Sequence, residues 1–330
     1  MHNYRLFGAD TSPYSQKVRA ALTYKGVPFD YVPRSVKTEA DFQALATVPT
    51  VPLLISPETV ASQDSTAMLA TLEQAHPEPS SVPEDPACAA LALILEDYAD
   101  EWLNKVMFDA RWANSPDKEA ASQRLLSQLF AGNLPASREE EAGKIADRMA
   151  GRLPLVGAGG TNSEILKTSF QRGAELLNTH LSDNLCIFGG RPSAADFALA
   201  AQYAQMLTDP TPGEWLRDRA PFVTEWCEFM SAPKAGGPFK PLSELEPTLL
   251  PLFKDEVAKT WFAWASVNSE NASKRRKKLS VKIGRAEFSQ DTQKYAAKAY
   301  KSVKKAMGKL KKVDGLAGFL KSAGMGDLAK

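Results

Sequence analysis

The chain has 330 residues, 44% of them hydrophobic and 24% charged, which is length enough for about two domains and a composition ordinary for a globular protein. It holds no apolar run of about 18 residues that would span a membrane as a helix. Its three cysteines, Cys88, Cys186 and Cys227, are spaced neither as a disulfide framework nor as a zinc site. A formal net charge of +1 conceals an asymmetry: from Lys254 onward there are 19 Lys/Arg against 7 Asp/Glu, and before it 21 against 32. A basic tail thus follows an acidic body. The opening Met1-His2-Asn3-Tyr4 runs straight into an apolar pattern without the regions of a signal peptide. A cytoplasmic, reducing compartment is expected, and three distant histidines argue against a histidine-rich metal site.

Tyr4 to Phe7 reads as a strand. A helix follows from about Pro13 to Lys25, with Tyr14, Val18, Ala21 and Leu22 on one face. Ser12 suits its N-cap, Pro13 its first position, and Gly26 stops it. Phe29 to Val32 reads as a strand and Ser35 to Ala46 as a short helix. Val51 to Ile55 and Thr59 to Ala61 read as a hairpin. A helix from about Ser65 to Gln74 must end near Pro77. This order predicts a mixed sheet flanked by helices. Pro79 to Pro86 reads as a linker. Helical patterns then occupy 87–108, 118–130, 138–150, 162–181, 194–207 and 215–230. The tail opens with a basic run, Lys274-Arg275-Arg276-Lys277-Lys278. Leu279, Val281 and Ile283 alternate with polar residues, Gly284-Arg285 makes a turn, and Ala286 and Phe288 return. An amphipathic helix from Asp291 to Leu310 carries Ala296, Tyr300, Val303, Met307 and Leu310 as its apolar stripe. Leu316, Phe319 and Leu320 form a last apolar patch. Such a stripe must be covered. Fold-back onto the acidic body is the favoured reading. Docking on a membrane surface or on nucleic acid is the alternative, and no nucleic-acid-binding motif supports the latter.

Three places carry candidate chemistry. Ser12-Pro13-Tyr14-Ser15 lies at a strand-to-helix turn, where free N–H groups and the positive end of the helix stabilise an anion or thiolate. Serines at both ends exclude dithiol redox chemistry and a cysteine nucleophile there, but a hydroxyl can still donate to a bound thiolate. A plain N-cap is the bland reading. Val51-Pro52 precedes a strand. Read alone it is a trans edge proline, whereas a cis bond would expose the Val51 backbone to an extended peptide-like ligand. Gln63-Asp64-Ser65-Thr66 opens the next helix. Simple capping is the bland reading, and reception of a ligand carboxylate or amine the functional one.

The order and spacing of SPYSQKVRAAL, VPTVPLLI and QDSTAMLATLE resemble the glutathione-binding half of glutathione transferases. FGGRPSAADFALAAQYAQM resembles the buried helix and capping box of the same family's helical half, with Ser193 as cap and Asp196 reaching back. LEDYADEWLNKVMFDARW, LTDPTPGEWLRDRAP and VKIGRAEFSQDTQKYAAKAYK look like a bacterial branch with a long C-terminal domain. The resemblance implies a thioredoxin-like α/β domain at 1–80, an all-helical domain at 87–260 and a hairpin-helix extension at 261–330. It implies that Ser12 supplies the activating hydroxyl, with Tyr14 and Ser15 as further candidates. It implies that Val51 pairs with the cysteinyl backbone beside a cis Pro52. Asp64 and Ser65 hold the γ-glutamyl end, Gln63 adds a contact, and no metal is needed. The implied activity is Ser-type conjugation of glutathione, as cosubstrate, to a small electrophile, with detoxification as the implied setting. Isomerisation or reductive ether cleavage would use the same site. The alternative is a binding or scaffold protein that has lost catalysis. Family members commonly form homodimers. Two departures stand out: Asp64-Ser65 replaces the usual Glu-Ser, and extra length falls at about 115–160 and in the tail. Trp102, Phe108 and Trp112 are read as pocket or core, and Asp97, Asp100, Glu101 and Asp109 as a solvated face.

Overall fold

The computed structural model of the protein describes residues 3–329; positions 1, 2 and 330 of the outer expected domains lie outside them. Strands β1 (Tyr4–Gly8), β2 (Phe29–Pro33), β3 (Leu53–Ile55) and β4 (Ala61–Ser62) form one mixed sheet in the order β2-β1-β3-β4. β1 runs parallel to β2 and antiparallel to β3, with Leu6 opposite Leu54 and Phe7 opposite Leu53. Alternation along the strands sends side chains to opposite faces. Leu6 and Leu54 join Val18, Leu22, Met68 and Leu72 of helices α1 (Pro13–Tyr24) and α3 (Ser65–Ala75). Phe7, Leu53 and Ile55 enclose Phe42 of α2 (Glu39–Leu45) on the other face.

The remaining elements are helical up to the final hairpin unit. α4 (Pro86–Asp97) continues through a π-helical segment, Tyr98–Leu103, into α5 (Asn104–Trp112). Then come α6 (Ser115–Leu129), α7 (Arg138–Ala150), α8 (Leu153–Val156), α9 (Ser163–Leu181) and α10 (Ala194–Leu207). α10 lies inside the molecule, packed on α1, α4, α5 and two later helices, α11 (Pro210–Arg219) and α12 (Pro221–Phe229). Its residues are mostly small and apolar, as such burial requires, and its buried Asp196, Gln202 and Gln205 are hydrogen-bonded. The expected capping box is formed. Asp196 Oδ2 accepts the Ser193 N–H at 2.9 Å and hydroxyl at 2.7 Å, and Oδ1 accepts the Ile187 N–H at 2.8 Å. The helix expected over 215–230 is two helices, broken at Ala220-Pro221, because proline disfavours helical geometry in the residue before it.

A helix that the pattern reading missed follows. α13 (Leu242–Leu252), a π-helical stretch Phe253–Phe262 and α14 (Ala263–Ser273) run on continuously. Pro247 and Pro251 lie inside α13, where proline ordinarily breaks a helix. Burial of Leu242, Leu245, Leu249, Leu252, Phe253, Val257, Trp261 and Trp264 along one face holds the helix together across them.

The extension is packed on this core. β5 (Lys278–Ile283) and β6 (Ala286–Asp291) pair antiparallel around Gly284-Arg285, as expected. Phe288 is fully buried, its ring 5.2 Å from that of Trp102. Asn162 clasps the Ser289 backbone, accepting its N–H at 3.2 Å and donating to its carbonyl at 2.8 Å. Asn268 clasps Gln293 in the same way, at 2.8 and 2.9 Å. In α15 (Lys294–Leu310) the stripe residues Ala296, Tyr300, Val303 and Met307 are buried, and α16 (Leu316–Ser322) buries Leu316, Phe319 and Leu320. The stripe is therefore covered by the chain's own body. Among the described residues, no helix is long and apolar enough to cross a membrane, and no cluster of ligating side chains could hold a metal.

Candidate active site

The cleft between the α/β unit and the helices contains a cavity of about 980 Å³ with three walls. The first wall is built from the chain around β3. The Val51-Pro52 peptide is cis, which corrects the trans reading of those residues taken alone and matches what the resemblance implies. Val51 lies outside the paired part of β3 and lines the cavity, so its backbone has no ladder partner there. Gln63 fixes this loop. Its Oε1 accepts from the N–H groups of Thr47 at 2.9 Å and Val48 at 3.0 Å and from the Thr47 hydroxyl, and its Nε2 donates to the carbonyls of Val48 and Thr50. The amide is committed at both ends, so Gln63 acts as a clasp for the loop that presents Val51. Asp64, at φ 93°, caps α3 by accepting from the N–H groups of Thr66 and Ala67 through Oδ1. Ser65 follows at the first position of the helix. Its hydroxyl has no hydrogen-bond partner among the described residues, and it lines the cavity with Asp64. A free hydroxyl beside a helix N-terminus is a receptor for a carboxylate.

The turn at α1 differs from expectation. Of the three hydroxyl candidates, Tyr14 lines the cavity and Ser12 and Ser15 do not. Ser15 is fully buried, and its Oγ accepts the Ala9 N–H at 3.1 Å. That contact closes the turn. Tyr14 donates to the Asp100 carbonyl at 2.7 Å, and burial, then the nearby Asp100 charge, raises its phenol well above the usual range. Ser12 is half-buried and its Oγ accepts the Ser15 N–H at 3.3 Å, leaving its own O–H uncommitted among the described residues. The preceding loop is anchored from the helical side. Gln128 accepts the Asp10 N–H, Gln205 donates to the Asp10 carbonyl, and Arg111 donates to that of Thr11. Gln128 belongs to α6, within the extra length the sequence singled out.

The second wall comes from the helix containing the π segment. Its wider turn brings Asp100, Glu101, Asn104 and Lys105 to the cavity together with Leu93, Glu96 and Asp97. The carboxylates expected on a solvated face are buried or half-buried, because partners distant in sequence take them inside. Lys17 of α1, fully buried, pairs with Glu96 at 2.7 Å and Asp100 at 2.6 Å. Burial opposes its charge, but the two carboxylates prevail and hold the ammonium above its usual range. Burial pushes Asp100 up to about 6 against the pull of Lys17. Asp97 accepts the Trp261 N–H at 2.8 Å and is raised by burial, then by Glu101. Asp109 holds the Gly159 N–H at 2.7 Å and the Ser163 hydroxyl at 2.8 Å. Glu101 makes no hydrogen bond or ion pair among the described residues. Burial pushes it up to about 7, with Lys105 opposing. Lys105 donates to Val156 O and Gln293 Oε1 and stands 4.2 Å from the Trp264 ring. Burial lowers it to about 8 against the Glu101 charge. Trp102 and Trp112 are core residues, and neither they nor Phe108 lines the cavity.

The third wall is the extension itself. Gln293, Tyr295, Lys298, Ala299, Ser302, Val303 and Ala306 cover the cavity from α15 and the residue before it. Tyr295 donates to Asp64 Oδ2 at 2.8 Å. Sequence reading missed this contribution, since Tyr295 lies outside the apolar stripe.

Comparison with known proteins places two stretches of the chain, the first of them containing the first wall, in a family. A family model for the glutathione S-transferase N-terminal domain matches residues 6–80. The corresponding C-terminal domain model matches residues 136–229. Together they cover just over half of the chain. A glutathione S-transferase of Triticum aestivum is 35% identical over 80 residues, 24% of this chain and 37% of that protein. Glutathione S-transferase Z2 of Arabidopsis thaliana is 32% identical over 85 residues, 24% of this chain and 38% of that one. The chain thus matches little more than a third of these relatives' length. Among solved structures, the beta-etherase LigF from Sphingobium sp. strain SYK-6 is similar at 20% identity, with a TM-score of 0.49, over 77% of this chain and 100% of that one. A glutathione S-transferase from Rhodospirillum rubrum F11 is similar at 20% identity, with a TM-score of 0.44, over 76% and 91%.

Proposed function

The chain belongs to the glutathione transferase superfamily, and from that premise we propose that its cleft binds glutathione and transfers the thiolate to a small electrophile. The observation that carries this reading is the first wall. A Val51 backbone without a ladder partner stands beside an Asp64-capped helix start and the free Ser65 hydroxyl. An extended ligand with a peptide unit, an α-carboxylate and an α-amine finds a partner for each: Val51, Ser65 and Asp64.

The proposed donor to the thiolate is Ser12. Its own hydroxyl proton is uncommitted, and the start of α1 adds the positive end of a twelve-residue helix. Tyr14 is second, since its O–H is given to Asp100. The sulfur end of the ligand therefore lies at the Tyr14 margin of the cavity, with the electrophile against Leu93, Val303 and Ala306. A binding protein without catalysis is the second reading. The position of Ser12 off the cavity wall and the cover provided by α15 favour it. Calorimetric titration with glutathione, followed by thiol consumption with a panel of electrophiles, separates the two. Binding with consumption supports transfer, binding without consumption supports the second reading, and no binding overturns both.

A further inference from the structure

The expected ligand contacts at Asp64 leave one question open: what sets the carboxylate's direction. Asp64 is exposed, stands between β4 and α3 as the cap of that helix, and holds a backbone angle of φ 93°. A residue with a side chain rarely occupies that conformation unless its surroundings impose it. Its Oδ1 is used by the helix cap. Asp64 lines the cavity, and its other oxygen, Oδ2, accepts from the hydroxyl of Tyr295 at 2.8 Å. Tyr295 stands on the first turn of α15 and is 60% exposed. That exposure rules out core packing as the reason for its place. The contact crosses the cleft mouth from a segment more than 200 residues away in sequence.

We infer that Tyr295 is a positioning residue of the ligand site: it holds the Asp64 carboxylate in the orientation that receives a ligand's α-amine. The inference rests on the glutathione reading of the cleft. A carboxylate oxygen accepts two hydrogen bonds. The phenol fills one position on Oδ2 and leaves the other for an ammonium group. Being neutral, it orients the carboxylate without competing with that ammonium for its charge, as a lysine would. The extension thereby becomes part of the site, so that the cleft is complete only when α15 is docked. Lys298, which faces the same cavity one turn further along, moves with it.

The test is calorimetric titration of the full-length wild type and Tyr295→Phe with two ligands, glutathione and its analogue lacking the α-amino group, with steady-state kinetics alongside. Tyr295→Phe keeps the ring at an exposed position, and an unchanged melting temperature checks the fold. The expected result is a roughly fivefold or greater weakening for glutathione, the scale of losing one hydrogen bond to a charged group. The analogue's affinity stays unchanged, and KM for glutathione rises while kcat holds. Equal or tighter binding of glutathione by Tyr295→Phe overturns the inference, as does an equal loss for both ligands, which would mark a simple lid. Absence of binding by the wild type removes the glutathione reading itself. Wild-type binding with an unaffected variant removes only the assignment of Tyr295.

Discussion

Truncating Phe288 tests whether the hairpin of the extension is part of the core. Its side chain is fully buried on β6, against the ring of Trp102 at 5.2 Å. The Trp102 N–H is in turn fixed by the Ser169 hydroxyl at 2.9 Å, so the surroundings cannot easily collapse into the space. Phe288→Ala loses the transfer free energy of the ring and leaves a cavity, a cost of about 3–5 kcal/mol. For a chain of this length the unfolding entropy is about 0.7 kcal/mol per kelvin, so about 4 kcal/mol lowers Tm by about 6 °C. Differential scanning calorimetry is the assay. Phe288→Leu, which keeps most of the volume, costs less than about 1.5 kcal/mol. Leu155→Ala, at a position 69% exposed, serves as a surface control. A Phe288→Ala Tm within one degree of the wild type, by rough instrumental reproducibility, would refute the packing of the extension described above.

Two further outcomes are expected. Glu101 is held at about 7 by burial, against about 4.3 in an unfolded chain. The native state therefore binds the extra proton, and stability falls as pH rises from about 4 to 7. Glu101→Gln removes that loss, gaining about 1–3 kcal/mol at pH 8 and almost nothing near pH 4; urea midpoints at the two pH values check this, and an equal shift at both contradicts it. Ser12→Ala lowers turnover at least about tenfold, the loss of one hydrogen bond to a charged group, with glutathione affinity little changed; unaltered turnover removes Ser12 from the mechanism.

Local chemistry explains what was legible in the sequence. The hairpin at 278–291 was readable because Gly284-Arg285 interrupts a strict alternation, and the capping box because Ser193 and Asp196 stand at fixed spacing. Proline acts in opposite directions at two places. Pro221 ends a helix that the apolar pattern carries through, while Pro247 and Pro251 sit inside one that the pattern reading omits. The repeat of Leu242, Leu245, Leu249 and Leu252 was the signal available there. The isomer of Val51-Pro52 is set by the surrounding fold and has no local signature beyond the resemblance. The cavity's second wall was misread for a related reason. Asp97, Asp100 and Glu101 have the composition of a solvated face, and only partners such as Lys17, 83 residues before Asp100, and Trp261, 164 residues beyond Asp97, bring them inside. Ser15 is a candidate by residue type, and its contact with the Ala9 N–H depends on how the turn folds. Tyr295 belongs to the same class: its partner lies 231 residues away, beyond any periodicity argument.

The central claim is that the first wall receives glutathione. Calorimetric titration of glutathione into the wild type and Ser65→Ala tests it most directly, because Ser65 offers an uncommitted hydroxyl and is not needed to cap α3. The account predicts micromolar-to-millimolar binding by the wild type and about tenfold weaker binding by the variant. A well-folded wild type that gives no binding heat, or a variant that binds equally well, would contradict it.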